Sequence, residues 1–314
     1  MTKLHELAEL GQSIWVDYVR RAFARSGELR ALVAQGVRGV TSNPTIFEAA
    51  IAHSDDYDPA LQELLPIVSS TRELYEALVL EDIREAADIL RPVYDAGAGA
   101  DGFVSLEVSP QLAHDAAGTV AEARRLFAAL NRPNVMIKVP ATAAGISAVE
   151  ALIAAGVNVN VTLIFSLDHY RAVALAYIAG LERLLAEGGN PAPVASVASF
   201  FLSRIDTAVD RILADLATGS GVPASRVRRL QALQGQAAVA SARLAYACFL
   251  ETFGGERWQR IASRGARVQR PLWASTGTKN PAYADTLYVD SLIAPDTVNT
   301  LPPATLSAYL DHGT

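Results

Sequence analysis

Eight short runs rich in β-branched residues alternate with helix-length stretches of Ala, Leu, Arg and Glu, in a chain of 314 residues whose strand-like runs carry one apolar and one polar face. Together these observations predict an α/β protein, a (β/α)8 TIM barrel with helical insertions. The alternation of strand and helix calls for a parallel sheet. The pattern inside the strands then favours a closed barrel over an open sheet, because strands covered by helices on both faces read as continuous apolar runs and these do not.

The strands are expected near residues 13 to 18, 37 to 42, 102 to 108, 134 to 139, 157 to 165, 194 to 201, 271 to 275 and 287 to 294. In the first, Asp17 alternates with apolar neighbours, and at the end of the second Thr41 and Asn43 share a parity. The third splits into Val104, Leu106 and Val108 on one face and Ser105 and Glu107 on the other. In the fourth the same rule puts Val135, Ile137 and Val139 under helices and aims Lys138 inward. The fifth sets Val157, Val159, Val161 and Leu163 against Asn158, Asn160 and Thr162. A lumen lined with polar groups follows.

Between the second and third strands, residues of about 45 to 95 hold more helical sequence than one crossover needs, with an apolar 3-4 spacing from Thr71 onward. A second long helical region runs from about 206 to 262, interrupted at Gly219-Ser220-Gly221-Val222-Pro223. Neither has the composition of a linker, so both are read as helical insertions in a single barrel domain spanning residues 1 to 314. The last helix is expected over Pro303 to Leu310.

A hydrophobic content of 51% and a mean hydropathy of +0.20 provide for a large buried core. The one cysteine, Cys248, lies in a helical stretch and offers no disulfide framework, which fits a reducing compartment. The first residues alternate charge with leucine, and no segment reaches ~18 uncharged apolar residues, so a cytoplasmic protein without membrane contact is expected. A net charge of −6 and a pI near 5.4 argue against nucleic-acid binding, which needs clustered cations. His5, His53, His114, His169 and His312 are scattered without ligand spacing, and no metal or other cofactor is expected.

Only three of the 27 basic residues are lysines. Lys3 lies in the polar start of the chain and Lys279 in a loop-like stretch, but Lys138 sits inside the apolar run Val135-Met136-Ile137-Lys138-Val139. A lysine at the end of an edge strand ordinarily carries its ammonium out to water. One aimed into a lumen beside carboxylates and hydroxyls suits imine chemistry on a carbonyl compound, since an amine that loses its proton is a nucleophile and a guanidinium is not. Active groups of such barrels gather at the C-terminal strand ends, where Asp17, Asn43, Glu107, Lys138, Asn160 and Thr162 all fall.

Five segments at separate strand ends carry a resemblance that extends over essentially the whole chain: Gly39-Val40-Thr41-Ser42-Asn43-Pro44-Thr45-Ile46-Phe47, Val104-Ser105-Leu106-Glu107-Val108-Ser109-Pro110, Met136-Ile137-Lys138-Val139-Pro140-Ala141-Thr142, Asn158-Val159-Asn160-Val161-Thr162-Leu163-Ile164-Phe165-Ser166 and Ala198-Ser199-Phe200-Phe201-Leu202-Ser203-Arg204. In these the sequence resembles the transaldolases of the longer bacterial branch, class I Schiff-base enzymes of the pentose phosphate pathway. The resemblance implies that Lys138 forms a Schiff base with a ketose phosphate and keeps a dihydroxyacetone unit. By the same match Asp17 takes and returns the proton of the C4 hydroxyl, Glu107 and Thr162 hold a water for imine formation, and Asn43 and Asn160 bind donor hydroxyls. The phosphate falls to Arg204 with Ser199, Ser275 and Lys279, whereas Arg204 read as an ordinary helix-start residue would pair with Asp206 or Asp210.

The partners so implied are sugar-phosphate substrates, with the protein a monomer or a homodimer. Two other readings share the residues: a Schiff-base aldolase or specialised sugar-phosphate transferase, and a non-catalytic sugar-phosphate-binding barrel. Members of this branch continue past the eighth helix into helical sequence over the barrel mouth, whereas this sequence ends at Leu310-Asp311-His312-Gly313-Thr314.

Overall fold

The computed structural model describes residues 2–219 and 221–314. Eight parallel strands pair in chain order and close on themselves: β1 Gln12–Val16, β2 Gly39–Thr41, β3 Phe103–Glu107, β4 Val135–Pro140, β5 Val159–Ile164, β6 Ser196–Phe201, β7 Arg270–Ala274 and β8 Thr297–Leu301. The first seven fall where the alternation predicts them. The eighth does not.

Residues 287 to 294 are not a strand. They open as a helical turn, Leu287–Asp290, and the chain re-enters the barrel only at Thr297. Tyr288 and Val289 are consecutive and both buried in this turn. The turn is held by Thr286 Oγ1 donating to Asp290 Oδ2 at 2.6 Å and by Tyr288 OH donating to Asp206 Oδ2 at 2.7 Å. A short apolar run reads alike as strand or as buried helical turn. The true strand, Thr297-Val298-Asn299-Thr300-Leu301, alternates Val298 and Thr300 toward the lumen.

β5 also departs from strict alternation. Val161 and Ile164 both pack outward, and the pairing with β6 shifts register between them. Leu163 takes a left-handed φ of 62° in this bulge and lines the cavity with Thr162 instead of joining Val159 and Val161 under the helices. Strict alternation cannot foresee an inserted residue.

The barrel has two cores. Outward strand residues such as Val104, Val135, Ile137 and Val159 join the surrounding helices in one large cluster. Inside, Trp15, Phe103, Met136, Val197, Leu272 and Val298 fill the lower lumen. Gly39 faces this plug: a Cβ there would stand 2.5 Å from the Trp15 ring, so glycine leaves the space the indole occupies. Below the plug, Asp101 accepts from Trp15 Nε1 at 2.8 Å and from the Ser13 hydroxyl, and it lies 3.4 Å from Arg270. The lumen is thereby closed at its lower end and open above.

Between β2 and β3 the chain forms helices Pro44–Ala52, Asp58–Leu64 and Thr71–Ala96. After β6 come Ser203–Ala217, Ala224–Ala232, Ala237–Gly254 and Glu256–Ala262, and the expected break at 219 to 223 falls between the first two, with Ser220 outside the described residues. The final helix is Pro303–His312.

Candidate active site

Strand register assembles the centre of the upper lumen. Glu107 pairs with Lys138 across β3 and β4, and Lys138 with Asn160 across β4 and β5, so three polar side chains stand abreast. Lys138 is 6% exposed. Its Nζ donates to the Ser42 carbonyl at 2.9 Å and lies 3.2 Å from Glu107 Oε2. Ser42 is itself tied down, its hydroxyl donating to the Ser105 carbonyl at 2.6 Å. The ammonium is thus placed by one fixed backbone oxygen and one carboxylate, and the carboxylate is the group positioned to remove its proton.

Asp17 follows directly on β1. Its Oδ1 accepts from Thr41 Oγ1 at 2.7 Å, and Thr41 Oγ1 is in turn 2.7 Å from Thr300 Oγ1. Burial pushes the Asp17 carboxyl above the ordinary aspartate range, opposed by the Thr41 hydrogen bond and by the charge of Lys138. A carboxyl so placed is suited to both accepting and returning a proton.

The asparagines differ in how they are held. Asn160 donates from Nδ2 to Ser105 Oγ at 3.1 Å and accepts at Oδ1 from Ser199 Oγ at 2.6 Å, so its amide orientation is set from two sides and the Ser199 hydroxyl is committed to it. Asn43 caps the helix Pro44–Ala52, its Oδ1 accepting from Ile46 N at 3.0 Å, with proline at the first helical position. That leaves its amino group toward the cavity. Thr162 is buried and opposite Pro140, and its hydroxyl has no protein partner among the described residues.

On the other side of the mouth, Arg204 opens the helix Ser203–Ala217 with its guanidinium 4.8 Å above the Phe201 ring. Asp206 is occupied by Ala238 N and Tyr288 OH, both at 2.7 Å, and Asp210 by Gly235 N at 2.9 Å and Tyr283 OH at 2.6 Å. Arg204 therefore forms no ion pair with either, and it faces the cavity. Ser275, at a left-handed φ of 55°, shares a 2.8 Å hydrogen bond with Ser203 Oγ. Lys279 is not brought here. It lines a neighbouring pocket of about 360 Å³ with Asp206, Asp210, Tyr283 and Tyr288.

One cavity of about 840 Å³ joins Asp17, Asn43, Glu107, Lys138, Asn160, Thr162, Ser199, Arg204 and Ser275. It also takes in residues the sequence reading passes over. Arg20, paired with Asp56 at 2.5 Å, and His53 lie in loops without periodicity, and Thr300 belongs to β8, which lies later in the chain than the apolar run at 287 to 294. The Ser42 carbonyl is a backbone atom and carries no side-chain signal. Among the described residues no group of three or more His, Cys, Asp or Glu side chains is placed to hold a metal ion, and no helix is long and apolar enough to cross a membrane.

Residues 14–314 match the family described as Transaldolase/Fructose-6-phosphate aldolase. The chain is 52% identical over 311 residues to "Transaldolase 1" of Streptomyces avermitilis, a match that covers 99% of this chain and 80% of that protein. It is 52% identical over 312 residues to "Transaldolase" of Thermobifida fusca, covering 99% and 82%, and 51% identical over 311 residues to "Transaldolase 2" of a Nostoc species, covering 98% and 81%.

Proposed function

This chain belongs to the transaldolase/fructose-6-phosphate aldolase family and is a transaldolase, and from that premise we propose how its residues carry out the transfer. The donor is a ketose phosphate, sedoheptulose 7-phosphate or fructose 6-phosphate. The acceptor is an aldose phosphate, glyceraldehyde 3-phosphate or erythrose 4-phosphate, as in the pentose phosphate pathway. One observation carries the assignment of roles: a lysine 6% exposed, 3.2 Å from Glu107, in a cavity that also holds the buried carboxyl of Asp17.

Lys138 gives a proton to Glu107 and attacks the ketose carbonyl carbon, forming a carbinolamine. Glu107 and the free hydroxyl of Thr162 hold the water through which that proton reaches the departing hydroxyl, and loss of water leaves the iminium. Asp17 then takes the proton of the C4 hydroxyl. The C3–C4 bonding pair moves into the iminium, the aldose phosphate leaves, and a three-carbon enamine stays on Lys138. Addition to the acceptor aldehyde reverses these steps, with Asp17 returning its proton and Glu107 directing water onto the new imine.

Asn160 and the amino group of Asn43 bind donor hydroxyls, and Arg204 with Ser275 takes the phosphate, a fixed cation and hydroxyl in a chain of net charge −6. Lys279 reaches that phosphate only if its loop moves, and Ser199 acts through Asn160. The cavity volume is of the order that holds a small polar ligand. The protein works as a single barrel domain in the cytoplasm, as a monomer or homodimer and without cofactor.

Incubation with fructose 6-phosphate and borohydride tests this, since reduction turns an imine into a stable secondary amine. The expected product is an adduct mapped by mass spectrometry to Lys138. An adduct on Lys3 or Lys279, or none, overturns the mechanism. Release of aldose phosphate that depends on an acceptor aldehyde identifies transfer, whereas equal release without one identifies plain aldol cleavage.

A further inference from the structure

The mechanism asks Asp17 to be a base at one moment and an acid at the next, and the hydrogen bonds behind it have a direction. An ionised carboxylate only accepts, so Thr41 spends its single hydroxyl proton on Asp17 Oδ1 at 2.7 Å. Toward Thr300, 2.7 Å away, Thr41 Oγ1 is then left to accept. Thr300 must donate. It is 2% exposed, and its strand is pinned by Thr276 Oγ1 donating to the Thr300 carbonyl at 2.7 Å.

We propose that Thr300 is a positioning residue for the reaction: its hydroxyl holds the Thr41 proton on Oδ1 of Asp17, which leaves Oδ2 as the oxygen that takes the C4 proton. This rests on the reading of Asp17 as the C4 acid-base group. The chain of three groups strengthens the bond to the ionised form, because a hydroxyl that accepts a hydrogen bond donates a better one. Without the Thr300 donor the Thr41 hydroxyl is less polarised, and the ionised carboxylate loses part of its support. The other ionisable groups around the cavity are Tyr18, Arg20, His53, Glu107, Lys138 and Arg204, and none touches Thr300 through a hydrogen bond among the described residues.

The test compares Thr300→Val, which keeps shape and removes the donor, with Thr300→Ser, which restores it. For T300V we expect the acid limb of kcat/KM to move up by about 0.5 pH unit, the order expected for one polarised hydroxyl. We also expect kcat to fall by about tenfold with KM little changed, and the intact six-carbon adduct to build up on Lys138 in borohydride trapping. T300S should restore all three. A T300V profile that superposes on the wild type, or a defect that T300S does not repair, overturns the proposal. If T300V lacks a native melting transition, Thr300→Ala carries the same comparison. Asp17→Asn tells the two apart: release of aldose phosphate at the wild-type rate in D17N removes Asp17 itself from the mechanism, whereas cleavage lost in D17N with a T300V profile that is unmoved removes the Thr300 relay alone.

Discussion

Two cation–carboxylate pairs share the lumen, one at each end. Below the apolar plug, Arg270 lies 3.4 Å from Asp101; above it, Lys138 lies 3.2 Å from Glu107. The lower carboxylate is saturated, accepting also from Trp15 Nε1 and Ser13, and Arg270 donates to Ser13 Oγ at 2.8 Å. The upper carboxylate has no partner but Lys138 among the described residues, and it opens on the cavity. A guanidinium keeps its proton in any setting, so the satisfied pair is a closed structural element. An ammonium beside an undersatisfied carboxylate retains somewhere for its proton to go. The plug and the upper site come from the same stretches of chain, two residues apart: Trp15 and Asp17, Met136 and Lys138. On the proposed mechanism, partner count and choice of cation distinguish the reactive pair from the structural one.

The most severe way to break the contrast is to give the upper pair the lower pair's cation. Lys138→Arg retains charge and removes the nucleophile, and we expect a loss in kcat on the order of 10⁵ or more, equal to that of Lys138→Ala, with no borohydride-trapped adduct. Residual transfer well above the alanine variant would mean that charge, and not imine formation, is what Lys138 supplies. Glu107→Gln comes next. It keeps the size of the side chain but cannot take a proton, and a fall of ~10² to 10⁴ in the rate of imine formation, measured by trapping at short times, is expected with the melting temperature little changed. Wild-type trapping kinetics would place the proton elsewhere. Arg204→Ala sharpens the picture at the rim: KM for phosphorylated donors should rise roughly 10- to 100-fold, and for dihydroxyacetone hardly at all. Equal losses on both would make Arg204 a structural residue.

Much of this is legible in the sequence because strand side chains have a period of two. Parity alone put Glu107, Lys138 and Asn160 in the lumen, and the register of β3, β4 and β5 brings them abreast. What escaped parity had physical causes. Leu163 turns inward through a bulge that adds a residue out of phase. Residues 287 to 294 are apolar because a helical turn buries Tyr288 and Val289, not because a strand passes there, and that displacement hid Thr300. Lys279 has the charge a phosphate needs, but its loop carries it into the pocket beside Asp206 and Asp210. Charge type is readable in a sequence, whereas the path of a loop is not.

The smallest effect on catalysis should come from the lower pair. Asp101→Asn keeps an oxygen for Trp15 Nε1, turns an amino group toward Ser13 Oγ and removes the charge that balances Arg270, and both partners of this pair are 15% exposed. Loss of a mostly buried counter-charge destabilises by about 1 to 3 kcal/mol, short of the full cost in a wholly buried site because water reaches the guanidinium. In a chain of this size that corresponds to a drop of several degrees in melting temperature. The plug of Trp15, Phe103, Met136 and Leu272 stands between this pair and Lys138, so the geometry above it should persist. We therefore expect kcat and KM at 25 °C within about twofold of wild type. The measurement pairs a melting curve with steady-state kinetics on one preparation. A large fall in kcat at a temperature where the variant is fully folded would show that the two ends of the lumen are coupled through the plug, and the division into a structural and a reactive pair would be wrong.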